Sequence, residues 1–250
     1  MKISFEDTTY PLKALPKGKH AIFGLLEPYI AYTFSGKSAI ARVLEYYRAQ
    51  RVLSDKVSQM LVPEWLGTWV YMTIHNYCFP TTVMNKGVKG IMVYHQWGFP
   101  QKMEQILPFA KKNKLFVLED CAHSFQSSYK GSRVGTFGDA SVWSFQKFFP
   151  SVVGGAVYSR NTHLLNAVRA LYTKSDDALE KNVFANLVRV NKNPSVTAVR
   201  DIARNYAVYP ELYSCPPYAV AVIAKELASG ALEKRRENFH MLQKAFWGKT

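Results

Sequence analysis

Apolar and polar positions alternate along the 250-residue chain as short apolar runs and amphipathic stretches, the pattern of an α/β fold. The clearest run is residues 115–118, Leu-Phe-Val-Leu, which ends in Glu119 and Asp120. An uninterrupted apolar run marks a strand buried on both faces, so its terminal acids stand at the strand's carboxyl end, where open α/β sheets bind ligands. A polar passage punctuated by Gly131, Gly135 and Gly138 follows, and a second apolar strand, residues 140–145, carries Ser144 and Lys147 to the next connection. Upstream, residues 90–95 read as a strand. Residues 103–114, with Ile106, Leu107, Phe109 and Ala110 on one face, read as the helix that crosses to the central strand in a right-handed βαβ unit.

Elsewhere the pattern is coarser. Pro11, Pro16, Gly18 and Pro28 break any long helix in residues 1–32, which leaves an irregular arm with one short strand. Ile40, Val43, Leu44 and Tyr47 fall at helical spacing behind Ser35-Gly36, a helix start whose amino end suits an anion. Residues 60–63 form a strand closing on Pro63, residues 68–75 a helix, and residues 77–83 an apolar stretch joined to residue 90 by a short link alone. Residues 164–172 and 174–193 read as helices, 194–217 as loop-rich and 220–242 as one long helix.

Composition narrows the classes. Hydrophobic residues make up 48% and charged ones 20%, which excludes a disordered chain. No apolar run is long enough to span a bilayer, and the first residues lack the apolar core of a signal peptide, so a cytoplasmic protein is expected. Three widely spaced cysteines, Cys78, Cys121 and Cys215, fit neither a disulfide framework nor a zinc cluster. The net charge of +14 is spread over scattered lysines and arginines, which reads as a basic solvated surface that draws in anionic substrates and disfavours a nucleic-acid stripe. Gly36-Lys37-Ser38 copies the tail of a P-loop, but that motif needs a glycine five positions before Gly36, where Ala31 stands.

An acid, an imidazole, a hydroxyl and an amine at consecutive strand ends, here Asp120, His123, Ser144 and Lys147, are what a pyridoxal 5′-phosphate site requires. The order Glu-Asp-x-Ala-His, then Tyr-Lys-Gly-x-x-Val-Gly-x-Phe-Gly-Asp, then Ser-Phe and Gly-Gly-Ala-Val, between residues 117 and 157, resembles the sugar aminotransferase (DegT-type) family of pyridoxal-phosphate enzymes, the fold type I group. The resemblance implies a three-layer α/β/α domain with a mostly parallel central sheet, the large domain of these transferases. It is shortened here, because one strand-helix excursion between residues 83 and 90 is missing. Residues 1–230 would form that cofactor-binding domain, and 231–250 the start of a connection to a small carboxyl-terminal domain that is absent.

By the same resemblance Asp120 pairs with the pyridinium nitrogen, His123 contacts the ring and Ser144 the phosphate. Gly36, Lys37 and Ser38 stand where the family's Ser-Gly-Thr element holds that phosphate, and Lys37 replaces the usual threonine. Trp65 is the nearest match to the aromatic that stacks on the ring, with Trp69 in reserve. The covalent lysine is expected five residues after the serine, where this chain has Phe149; Lys147 is the only lysine between Ser144 and Gly154 and takes the role from a displaced position. His95 reads as structural. The implied reaction transfers an amino group from an amino acid to a keto sugar, nucleotide-linked, for polysaccharide biosynthesis, in a homodimer. Two other readings stay open: a catalytically degenerate or incomplete relative serving as a binding or structural protein, and a nucleotide- or nucleic-acid-binding protein.

Overall fold

The computed structural model describes residues 28–55, 57–151, 153–170 and 215–247. The helix expected over 174–193 and most of the amino-terminal arm and of the loop-rich 194–217 stretch lie outside the described residues. A seven-stranded sheet forms the frame, in the spatial order β1 (Ile30–Thr33), β9 (Gly155–Tyr158), β8 (Ala140–Ser144), β5 (Phe116–Asp120), β4 (Val88–Tyr94), β2 (Gln59–Leu61) and β3 (Phe79–Thr81). The five strands from β8 to β3 run parallel, while β9 is antiparallel to both β8 and β1.

The central strands β5, β8 and β9 are buried along their whole length, which is why they appear in the sequence as runs rather than alternations. Strand alternation then sorts their side chains between two layers. Leu118, Ala140, Val142 and Val157 pack with Ile40, Val43 and Leu44 of α1 (Gly36–Ala49) and Leu164, Leu165 and Val168 of α4 (Thr162–Ala170). Ile74 of α2 (Thr68–His75) closes the same layer. On the opposite face Val93 and Val117 meet Met103 and Ala110 of α3 (Met103–Lys112). Trp143, Ala156 and Tyr158 meet an aromatic cluster of Phe125, Phe145 and Phe149 and Ile223 of α5 (Pro217–Ala228). The result is three layers, helix on sheet on helix. No described helix is long and apolar enough to cross a membrane.

The missing excursion is real and has a geometric reason. Parallel strands ordinarily need a dozen or more residues to reconnect, yet β3 reaches β4 through residues 82–87 without a helix. It can do so because β2 and β3 are three residues long: Thr81 ends level with Leu61 and Val88 begins level with Gln59, so the chain steps back only about two residues while passing one strand. Six residues reach roughly 20 Å, enough for that diagonal. Asn85 organises the step, donating to Gln59 Oε1 at 2.7 Å and accepting from Gly87 N–H at 2.8 Å.

Two local features differ from expectation. The helix expected over 220–242 is two helices, α5 and α6 (Ala231–Trp247), because Gly230 takes φ +74 and ends α5, and its carbonyl accepts from Lys234 N–H to start the next helix. Between β5 and β8 the glycine-rich passage folds as a small hairpin, β6 (Ser128–Tyr129) and β7 (Ser132–Arg133). Lys130 and Gly131, both at positive φ, make its two-residue turn.

Candidate active site

Tyr94, Asp120 and Ser144 are the last residues of β4, β5 and β8, and the register pairs Tyr94 with Asp120 across the sheet. Above these carboxyl ends lies a cleft of about 670 Å³ whose walls include Ser35, Gly36, Lys37, Trp69, His123 and Lys147. The cleft depends on how closely α1 approaches the sheet. A Cβ on Gly155 would lie 2.4 Å from the Ser35 carbonyl carbon, and one on Gly36 would lie 3.0 Å from Ser144 Cβ. The Gly-Gly pair and Gly36 therefore let the amino end of α1 rest on β8 and β9. Ser35 caps the helix, its Oγ accepting from Ser38 N–H at 3.1 Å.

A polar chain crosses the cleft floor. Tyr94 Oη lies 2.7 Å from His123 Nδ1, and Lys147 Nζ lies 2.7 Å from His123 Nε2. The backbone N–H of Trp97, which can only donate, points at Nδ1 over a long 3.4 Å. Nδ1 is therefore the acceptor nitrogen, and burial together with the nearby Lys147 holds the imidazole below its usual pKa and so neutral. Desolvation lowers the Lys147 pKa, against the pull of Asp120. Asp120 is 2% exposed and accepts one hydrogen bond, from Ala122 N–H at 2.9 Å. Burial pushes its carboxyl up despite that bond and the charge of Lys147.

The acid one position earlier faces the other way. Glu119 is fully buried and accepts from Gly135, Phe137 and Gly138 N–H at 2.9, 2.8 and 2.7 Å. Its fourth partner is His95 Nε2 at 3.1 Å, and His95 Nδ1 accepts from Gln101 N–H at 3.1 Å. Glu119 and His95 thus pin two loops beneath the cleft, the structural part expected of His95. Cys121 stands within 4.8 Å of both, but burial pushes its thiol well up and the Glu119 oxygens are already taken, so the trio is a packing network.

Of the residues singled out from sequence, Gly36, Lys37, Asp120, His123, Ser144 and Lys147 come together in the cleft walls. Two do not. Ser38 is buried behind Ser35, its hydroxyl 3.0 Å from Ser35 Oγ, because the cap turns it inward. That burial also removes the hydroxyl a P-loop would give to a metal-bound nucleotide. Trp65 is 79% exposed beside a separate shallow groove, since it precedes Gly67, where α2 begins. Trp69, in the first turn of α2, is the aromatic on the cleft, with Lys37 Nζ 5.0 Å from its ring centroid. Phe149, where the covalent lysine is expected, is buried among Phe125, Phe145 and Phe148. The turn at residues 145–147 brings Lys147 out to the cleft instead. Tyr94 went unnoticed in the sequence, although it directly precedes the strand-end His95.

Residues 76–194 match the DegT/DnrJ/EryC1/StrS aminotransferase family. The match covers a little under half of the chain. The chain is 46% identical over 94 residues to GDP-perosamine synthase of Escherichia coli O157:H7, a match covering 37% of this chain and 25% of that protein. It is 35% identical over 99 residues to dTDP-3-amino-3,6-dideoxy-alpha-D-galactopyranose transaminase of Aneurinibacillus thermoaerophilus, covering 38% and 27%. The matched part thus spans about a quarter of these curated relatives. Among solved structures the fold is similar to Helicobacter pylori PseC, an aminotransferase involved in the biosynthesis of pseudoaminic acid, with a TM-score of 0.59, 18% identity and coverage of 88% of this chain and 59% of that one.

The cleft residues fit the cofactor that DegT-type enzymes use. A buried carboxylate with one donor is short of a cationic partner, which a protonated ring nitrogen supplies. The capped amino end of α1 and the Ser144 hydroxyl offer donors to a phosphate. An amine whose pKa burial lowers is the nucleophile an aldehyde needs.

Proposed function

We propose that the protein is a pyridoxal-phosphate-dependent aminotransferase of the DegT type, transferring an amino group from an amino acid to a keto sugar, nucleotide-linked, in the cytoplasm and as a homodimer. The observation that carries this reading is the convergence of Asp120, His123, Ser144 and Lys147 with the amino end of α1 around one cleft. When bound, the cofactor supplies an electron sink that stabilises a carbanion at the substrate's Cα. Asp120 would keep the ring nitrogen charged, and the Ser35–Gly36 helix end with Ser144 would hold the phosphate. Trp69 covers the ring side of the cleft. Lys147 would hold the cofactor by its aldehyde and, as a free amine, would carry the proton that leaves the substrate's Cα. His123 lies 2.7 Å from both the Tyr94 hydroxyl and the Lys147 amine, so it aims that amine.

The test is covalent labelling. Pyridoxal phosphate added to the purified chain, followed by borohydride and peptide mapping, is expected to place the label on Lys147, with an absorbance band at the visible edge before reduction. Lys147→Ala abolishes both. Tyr94→Phe leaves attachment in place but moves its pH dependence, because Nδ1 loses a donor. A label on another lysine, or none on a folded protein, overturns the reading.

A further inference from the structure

Lys37 is the second residue of α1, at the end of the helix that rests on β8: a Cβ on its neighbour Gly36 would lie 3.0 Å from Ser144 Cβ. It stands where the resembled family carries threonine. Its Nζ lies over the Trp69 indole, 5.0 Å from the ring centroid, and both side chains line the cofactor cleft. One ammonium and one aromatic face thus join the first turns of α1 and α2 across the cleft.

The two amines in the cleft walls keep different company. Lys147 stands 2.7 Å from His123 and feels the charge of Asp120. Lys37 belongs to the α1 end, beside Ser35, Gly36 and Ser144. That end gathers donors but little charge, since a helix terminus supplies only about half an elementary charge and hydroxyls supply none. A phosphate dianion seated there is short of a full cation without Lys37. The lysine stem is long and flexible, so its ammonium can serve either the indole or the helix end. Trp69 is 64% exposed, and a cation–π contact at an exposed ring is weaker than a charge-assisted hydrogen bond to phosphate. An anion at the α1 end therefore draws the ammonium off the indole.

We propose that Lys37 is the charged ligand of the cofactor's phosphate and that Trp69 competes for it, so that seating the phosphate frees the indole face to cover the pyridine ring. This rests on the aminotransferase reading above and gives the lysine in place of threonine a task. Binding at the phosphate end and at the ring end become coupled through one side chain. The likeness of Gly36-Lys37-Ser38 to a P-loop tail has the same chemical root, a lysine that reaches a phosphate from the first turn of a helix.

Tryptophan emission of the full chain, titrated with inorganic phosphate at constant ionic strength, tests it. Phosphate is expected to give a saturable shift in emission that Trp69→Phe removes. Lys37→Met, which keeps the stem and drops the charge, is expected to weaken phosphate by about tenfold or more with the phosphate-free thermal midpoint unchanged, and Lys37→Arg to keep most of the affinity. Phosphate is also expected to tighten the capture of phosphate-free pyridoxal on Lys147, trapped with borohydride, by about fivefold or more in the wild type and not in Lys37→Met. Equal phosphate affinity in the wild type and Lys37→Met overturns the assignment of Lys37. Emission from Trp69 that phosphate leaves unmoved, or pyridoxal capture indifferent to phosphate, overturns the exchange. Absence of any label on Lys147, with pyridoxal phosphate itself, removes the cofactor reading instead, and phosphate binding through Lys37 then stands or falls by the titration alone.

Discussion

At the scale of single residues, Asp120 carries a conflict between stability and binding. Its burial raises the carboxyl pKa above the ordinary 3.8, so the folded chain holds its proton more tightly than the unfolded one. Stability therefore falls as pH rises through the interval from 3.8 to the folded value and stays reduced above it. Asp120→Asn keeps the bond from Ala122 and removes the buried charge, so it is expected to raise the thermal midpoint of the cofactor-free protein at neutral pH, with the gain vanishing below the ordinary carboxylate range. The same variant should capture pyridoxal phosphate on Lys147 yet lose amino transfer by orders of magnitude, as the ring nitrogen loses its counter-charge. A midpoint that drops at neutral pH would show that Asp120 is instead a structural acid. This residue was legible because a strand-end acid announces itself in an apolar run. Lys147 was legible only by elimination, for nothing in the order Gln146-Lys147-Phe148-Phe149 says which side chain leaves the core. The aromatic cluster decides it, drawing Phe149 inward and leaving the lysine to the cleft. Tyr94 and Trp97 were illegible, since their part comes from hydrogen bonds to a histidine nearly thirty residues away.

At the scale of elements, the site depends on the seating of α1 against β9. Gly155→Ala would drive a methyl group into the Ser35 backbone, with no flexible side chain to yield. It is expected to cost about 1–3 kcal/mol in urea unfolding and to weaken cofactor capture, because the helix end must lift from Ser144. Ser35→Ala, which removes the cap without a clash, should cost about 1 kcal/mol and disturb capture less. If Gly155→Ala loses stability but binds the cofactor normally, the close seating serves packing and not the phosphate. The central strands and α1, α2 and α3 were readable from periodicity, since each buries a continuous run or stripe. The break at Gly230 was missed because apolar residues continue on both sides of it, and a single positive φ outweighs that pattern. The helix over residues 68–75 was legible, but the choice between Trp65 and Trp69 was not, because it turns on which part of that segment the fold lays against the cleft.

At the scale of the whole molecule, charge and apolar surface pull in opposite directions, and their balance gives the last prediction. The net charge of +14 makes two copies repel. Around α2, however, Trp65, Trp69 and Met72 are 79%, 64% and 50% exposed among the described residues, with Phe79 and Val83 also open, and clustered open apolar side chains favour association. Trp69 and Met72 are three apart on one helix and share a face, and Trp69 also lines the cleft, so a partner seated there would close the cofactor site. Sedimentation velocity at micromolar concentration is therefore expected to show a dimer that tightens with added salt, because screening removes the repulsion and leaves apolar contact untouched. Met72→Glu should shift it to monomer and lower cofactor retention together. A wild-type chain that stays monomeric with cofactor present, or a dimer that dissociates as salt is raised, would count against an interface built on α2.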